Sequence, residues 1–278
     1  MTEQETEHNM LMQLIEKDCY VGIKEKIEYP PVCLSMGEKV LKSDKGDTIL
    51  PIPIGTYGNL SVVTAPPKTK KTFFISLLAS VYLSGDNIYG GKIKGHRGDG
   101  SLVHFDTEQG LWHCQKVFKR LYDMDSTIDS EKYHTFGLRS INYKTRIEFI
   151  EYYLSQKINR PSLVIIDGIA DLCSDANNIQ ESNEVVQKLM EWSAKYKVHI
   201  INVIHQNFGS TKLGTGHLGS FLEKKAETVI SLEANTVNKE WVTVRCGRSR
   251  GYAFEKFSFE VNERGLPIVV GNLYDPLE

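Results

Sequence analysis

Lys71 and Thr72 close a basic, proline-containing turn, Ala65-Pro66-Pro67-Lys68-Thr69-Lys70, and lead directly into the apolar run from Phe73 to Leu83. A lysine followed by a hydroxyl residue at such a junction is the chemistry of a phosphate-binding loop. The ammonium meets the β- and γ-phosphates, the hydroxyl meets magnesium, and backbone N–H groups at the helix start face the anion. The full spacing, G-x-x-x-x-G-K-[ST], is half met, because Ala65 and Lys70 occupy its two glycine positions. Ala65 adds only a methyl group, and Pro66-Pro67 fix φ in the turn, so the loop can still form. Lys70 must point its side chain away from the phosphates, and it adds positive charge beside them. On this reading Ala65, Pro66, Pro67, Lys68, Thr69, Lys70, Lys71, Thr72 and Phe73 contact an ATP molecule. A solvated basic turn before a helix is the other reading of the same residues.

Three later strand-like runs end in polar side chains. Ser101 to Asp106 passes through Thr107-Glu108-Gln109-Gly110 into a helix, Leu111 to Tyr122. Glu108 is a candidate general base for a water attacking a phosphate, or a cap for that helix. Ser162-Leu163-Val164-Ile165-Ile166-Asp167-Gly168 reads as a fully buried parallel strand with an acid at its tip. With a Lys-Thr loop upstream, Asp167 and Thr72 become the candidate magnesium ligands. Val198 to Ile204 ends in His205-Gln206-Asn207, where Gln206 is placed to sense a γ-phosphate or simply to close the strand. His205 is the weaker candidate of the pair.

The elements that must position these residues are read from composition and punctuation. The chain has 278 residues, 41% hydrophobic and 24% charged, with net charge −2. That is an ordinary globular composition, and it argues against a wholly basic nucleic-acid coat. Five scattered cysteines without metal-type pairing suggest reduced thiols and a cytoplasmic protein. No apolar run is long enough to span a bilayer and no signal pattern opens the chain, so no membrane partner is expected. Residues 1–18 read as a polar helix with an apolar stripe at Met10, Leu11, Leu14 and Ile15. Proline and glycine punctuation between Tyr29 and Asn59 reads as a lead-in of short extended pieces, giving an N-terminal segment 1–54 and a main domain 55–278. The glycine-rich, basic stretch Ser84 to Gly100 reads as a solvated loop. Helices are expected at Lys144 to Lys157 and Ile179 to Tyr196. The segment Phe208 to Ser220 holds four glycines in thirteen residues and reads as a mobile loop. Strands Glu227 to Glu233, Trp241 to Cys246, Lys256 to Val261 and Ile268 to Val270 read as antiparallel additions at a sheet edge.

This order of pieces resembles the RecA-like P-loop ATPases over roughly residues 55–262. It is similar in particular to RepA-like and DnaB-type hexameric replicative helicase ATPases, including the AAA_25 proteins of plasmids and mobile elements. Gly216-His217-Leu218-Gly219 and Lys225-Ala226-Glu227-Thr228-Val229 share in that likeness. The resemblance implies an α/β fold with a mainly parallel central sheet, flanking helices and antiparallel C-terminal strands. It implies ATP and Mg2+ as ligands, single-stranded DNA as partner, a homo-oligomeric, hexameric ring, and a primase or replication initiator as a further partner. Phe105-Asp106-Thr107-Glu108 looks like the segment bearing the catalytic glutamate. Arg248-Ser249-Arg250-Gly251 looks like the basic finger that reaches a neighbouring subunit's nucleotide; as residues alone, Arg248 and Arg250 are equally a pair of solvated edge charges. Lys212 and His217, in the glycine-rich segment, are the implied DNA contacts. Other functions compatible with the residues are an ATP-binding regulatory or assembly module, a small-molecule kinase and a recombinase-like filament former.

Overall fold

The computed structural model describes residues 3–44, 46–84, 92–156, 161–206, 214 and 216–270. Two compact units divide at Pro30 and Pro31. The first is built on α1 (Glu3–Cys19), whose apolar side chains Met10, Leu11, Leu14 and Ile15 are exposed. The second unit begins with β1 (Val32–Leu41), β2 (Thr48–Thr56), β3 (Leu60–Ala65), α2 (Lys71–Ser84) and β4 (Ile93–Gly95). It continues through β5 (Ser101–Asp106), α3 (Leu111–Met124), β6 (Tyr133–Gly137), α4 (Tyr143–Ser155), β7 (Pro161–Asp167), α5 (Ile179–Tyr196) and β8 (His199–His205). It closes with α6 (Gly216–Lys225), β9 (Thr228–Ala234), β10 (Val242–Ser249), β11 (Phe257–Val261) and β12 (Pro267–Val270).

The main sheet has nine strands in the order β12-β11-β10-β9-β3-β8-β7-β5-β6. From β9 to β6 all neighbours are parallel, and β10, β11 and β12 extend the sheet antiparallel. The expected mainly parallel sheet with antiparallel C-terminal strands is therefore present. Its apolar strand runs arise because helices cover both faces, so alternate side chains of one strand enter different cores. In β7, Leu163 and Ile165 pack with Phe74, Ile75 and Leu78 of α2. Val164 and Ile166 of the same strand pack with Val185, Leu189 and Trp192 of α5. α5 starts where the Asn178 side chain accepts from the Glu181 N–H.

Four expectations are corrected. The stretch before residue 54 is two long strands that form a small antiparallel sheet, β2-β1-β4, within the second unit. Prolines 51 and 53 are tolerated because β2 is an edge strand. The basic segment Ser84 to Gly100 contributes β4, with Ile93 fully buried and Lys94 paired to Glu38 at 2.7 Å, so it is not wholly a solvated loop. Residues 216–220, read as loop, open α6: Leu218 and Leu222, four apart, bury one face and outweigh the local glycines. β9 lies inside the sheet and runs parallel to β3, because α6 returns the chain across the sheet before it begins. Lys212 and the segment 207–213, together with Lys157 and residues 85–91, lie outside the described residues.

Candidate functional site

Four adjacent parallel strands, β3, β8, β7 and β5, end at one edge of the sheet. Ala65 pairs with His205 and Asp106 with Asp167, while Asp167 pairs with Val203, so β3 and β8 end together two residues beyond the shared end of β5 and β7. Ligands of open α/β sheets bind in this position, beyond the carboxyl ends of the strands.

From β3 the chain turns through Pro66 to Lys70 and enters α2 at Lys71. Thr69 Oγ1 donates to Pro66 O at 2.7 Å and closes the turn. Lys68 and Lys70 adopt φ of 65° and 55°, a left-handed conformation that glycine takes without strain. Lys70 thus stands in the conformation that explains the usual glycine at its position. Its side chain points off the loop as expected, donating to Glu240 O at 2.8 Å in the β9–β10 turn. The start of α2 leaves its first N–H groups without intrahelical partners, which is the anion-binding property of a helix entrance. Thr72 is partly exposed in this first turn. Behind the helix, buried Arg120 of α3 lies 3.9 Å from the Phe73 ring centroid and donates to Ser76 Oγ at 2.9 Å. Arg120 escaped the sequence reading. Its one signal was a position one residue from buried Leu121 and three from buried Val117 on an amphipathic helix.

The acidic side of the site is built by β5 and β7. Asp106 accepts from the N–H groups of Glu108 and Gln109 and from Gln109 Nε2, which fixes the turn that carries Glu108. Thr107 Oγ1 donates to Gly168 O at 2.8 Å and ties that turn to the tip of β7. Gly168 has φ 101°, and a Cβ there would lie 2.3 Å from Thr107 Oγ1 and 2.6 Å from Glu108 Cγ. Only glycine fits beside the acidic turn. Asp167 is buried, its Oδ2 has no hydrogen-bond partner, and burial raises its pKa from the ordinary 3.8 to about 8, with Asp106 and Glu108 adding to the rise. Lys71 opposes that rise.

Lys71 and Glu108 meet at one ring. Lys71 Nζ lies 2.6 Å from His205 Nδ1, and His205 Nε2 lies 3.5 Å from Glu108 Oε1. Burial pushes the Lys71 pKa down, while Glu108 and Asp167 hold it up. The His205 hydrogen bond keeps the Glu108 carboxyl below its ordinary range, against the effect of burial. Gln206 continues the ladder through its N–H to Ala65 O at 2.9 Å, and its buried Nε2 has no partner. His205, the weaker member of the strand-tip triplet by sequence, is the one with side-chain contacts to both Lys71 and Glu108.

The residues fit a divalent cation bound together with phosphates. A buried carboxyl with an orphaned oxygen and two acidic neighbours takes up its negative charge readily only when positive charge is placed beside it. No group of three His, Cys, Asp or Glu side chains forms a metal cage among the described residues. Magnesium takes one or two protein ligands plus substrate phosphates, a demand that Asp167 and Thr72 can meet.

The remaining predicted residues lie elsewhere. Ser249 pairs with Thr228, which pairs with Ser61 at the start of β3, so β10 delivers Arg248 and Arg250 to the end of the sheet opposite the phosphate turn. Both are exposed. Arg250 Nη2 donates to Lys225 O at 2.8 Å, at the C-terminal end of α6. Neither arginine can join its own chain's site. His217 is exposed in the first turn of α6, with its ring 6.1 Å from that of Phe221. Among the described residues no helix is long and apolar enough to cross a membrane.

A family description of an AAA domain, AAA_25, matches residues 54–210. That span runs from the end of β2 past the tip of β8 and contains the phosphate turn, both acidic strand tips and His205. Comparison with curated proteins gives no match.

Proposed function

Since the chain belongs to the AAA_25 family and carries its RecA-like P-loop ATPase domain, we propose that it is a RepA-like motor that couples ATP hydrolysis to movement on single-stranded DNA. The observation that carries the catalytic half of this reading is the convergence of Lys71, Glu108 and Asp167 at adjacent strand tips, with one carboxylate oxygen unsatisfied.

Phosphoryl transfer needs positioning and charge stabilisation more than covalent help from the protein. The N–H groups of residues 68–72 cradle the phosphates, and Lys71 neutralises oxygens of the β- and γ-phosphates. Thr72 and Asp167 would hold Mg2+, which would supply further positive charge to the transferring phosphate. Water attacks the γ-phosphorus in line with the departing ADP oxygen, and Glu108 accepts the water's proton. Glu108 enters that step ionised, its carboxyl kept below the ordinary range by the His205 contact. Gln206, whose amide nitrogen is unpartnered just past the tip of β8, reports the γ-phosphate to the segment after it. Arg248 and Arg250 stabilise the transferring group in a neighbouring copy's site, which makes a closed hexameric ring the working assembly. Lys212 and His217 contact the DNA backbone. A primase or replication initiator is the partner that such a motor serves.

The deciding measurement is ATP hydrolysis with and without single-stranded DNA, on protein of known mass in solution. DNA-stimulated turnover by an oligomer supports the proposal, and DNA-independent turnover by a monomer overturns it. A second reading, an ATP-binding assembly module with little turnover, is favoured by the two lysines in left-handed conformation within the phosphate turn. Nucleotide binding with turnover at background would select it.

A further inference from the structure

Arg120 is a buried cation beside the phosphate turn that the proposed chemistry leaves unused; only 8% of it is exposed. It reaches from α3 across to the first turn of α2. Nη1 donates to Ser76 Oγ at 2.9 Å and, more weakly, to Thr72 O at 3.4 Å. Ser76 Oγ donates to the same Thr72 carbonyl at 2.9 Å. The guanidinium carbon lies 3.9 Å from the centre of the Phe73 ring, so an aromatic face covers the cation. Residues 72, 73 and 76 are thus held by a single side chain, and Thr72 is the candidate magnesium ligand among them.

What Arg120 lacks is an anion. Among the described residues no carboxylate forms an ion pair with it, and Asp123 acts on it only from a distance. Arg146, also largely buried, shows the usual alternative. Its donors go to the carbonyls of Leu138, Arg139 and Asp171, and the Asp171 carboxylate lies 3.9 Å away. A buried cation without an anion gives up its water for little in return. We propose that Arg120 is a positioning residue for the phosphate site: it fixes the first turn of α2 through Thr72 and Ser76, and holds there a positive charge whose missing anion is the nucleotide's phosphate chain. The inference rests on the reading of Lys71 and Thr72 as a phosphate site and extends that site inward. Carbonyls of a helix point towards its C-terminus, so a donor to Thr72 O lies beneath the anion rather than against it. Arg120 therefore acts through the helix turn and through space.

The charge and the fork have separable consequences. Two unit charges about 10 Å apart, at an effective dielectric constant of about 20, change an affinity by about 10-fold. Arg120→Met removes both charge and fork while keeping an unbranched side chain. It should weaken binding of ATP and of inorganic tripolyphosphate alike, by about 10-fold, because the charge acts on phosphates and not on the base. The nucleotide-free protein should be as stable as the wild type or more so, since a buried charge with no partner is gone. Arg120→Lys keeps the charge and gives up the planar fork. It should recover most of the affinity for metal-free tripolyphosphate. The extra affinity that Mg2+ brings should stay below wild type, because Thr72 is held less firmly.

The test is calorimetric binding of ATP and of inorganic tripolyphosphate, with Mg2+ and with EDTA, to the full chain and both variants. Denaturant unfolding of each protein without nucleotide accompanies it. Weaker binding of both ligands at unchanged or raised stability, with recovery in Arg120→Lys, supports the proposal. Wild-type affinity in Arg120→Met overturns it. A loss confined to ATP also overturns it, since that would put Arg120 against the base. So does a fall in stability that lysine does not restore, the mark of a packing residue alone. Wild-type protein that binds neither ligand would defeat the phosphate site itself, and this inference with it.

Discussion

The two ends of β3 carry polar clusters of opposite character. At its amino end, His199 donates from Nδ1 to Thr56 O and accepts at Nε2 from Ser61 Oγ, each at 2.9 Å. Thr56 N and Oγ1 both donate to Glu227 Oε2, and Asn59 Nδ2 donates to Thr56 Oγ1. The named groups close on one another, and Gly55 leaves just enough room for the histidine, since a Cβ there would lie 2.4 Å from Nε2. At the carboxyl end, Asp167 Oδ2 and Gln206 Nε2 are buried with no partner among the described residues. Hydroxyls of Thr64, Ser80 and Thr228 are also unpartnered, but a neutral hydroxyl forgoes less than a carboxylate. A closed network serves stability, whereas an open, charged one is poised for a ligand.

The largest expected effect breaks this division, because it asks an amino-end residue to act in another chain's site. Arg248→Ala should lower ATP turnover by about 10³–10⁵-fold with ATP binding retained. Arg250→Ala should cost less, since its guanidinium is already engaged by Lys225 O. Mixing Arg248→Ala with Lys71→Ala protein should recover part of the activity, because some interfaces then hold both intact halves. A mixed oligomer as inactive as its parents would refute a shared site.

Next in size, Glu108→Gln should bind ATP normally and hydrolyse it about 10²–10⁴-fold more slowly. Near-normal turnover would reduce Glu108 to a helix-entry residue. The matching change at the amino end, Glu227→Ala, should leave turnover per folded molecule unchanged. It should lower stability by about 1–3 kcal/mol, as Thr56 loses its acceptor. Denaturant unfolding checks it, and unchanged stability would mean that the closed network contributes nothing.

A milder effect is read in pH. Burial lowers the pKa of His199 from 6.5 to about 4 and that of His104 to about 3. Both rings are neutral in the fold, so their contribution is fully present above about pH 6.5 and is lost as pH falls through those lowered values. Wild-type stability should therefore decline from pH 6.5 towards 4, and His104→Phe should flatten part of the slope. The same slope in this variant would exclude His104 as a source of acid lability. The smallest effect belongs to Lys70→Gly. It relieves a left-handed residue worth about 1 kcal/mol and forfeits the exposed contact to Glu240. ATP binding should be equal or slightly tighter, and a large loss would show that Lys70, not Lys71, meets the phosphates.

The strand-tip acids and the Lys-Thr turn were legible because parallel strands covered on both faces read as apolar runs, and the first polar residue after each run marks its tip. α5 was legible from residue 179 to 196 by its long amphipathic period, opened by an Asn cap. The strands before residue 54 were not, because edge strands tolerate the prolines that elsewhere deny a strand. α6 was hidden by its glycines: Leu218 and Leu222 gain a core only once α5 is beside them. His205 was undervalued because its contacts are with side chains 134 and 97 residues away in the chain.

By itself the sequence determined the strands β3, β5, β7 and β8, the polar residues at their tips and the charge available there, since these depend on local pattern. Tertiary structure decided which tips are neighbours and therefore what the charges do. Strand order brings Asp106 beside Asp167, sets His205 between Lys71 and Glu108, and sends Arg248 and Arg250 to the far end. Electrostatic and hydrogen-bond energies fall off over a few ångströms, and such distances are fixed by pairing across the sheet rather than by position along the chain.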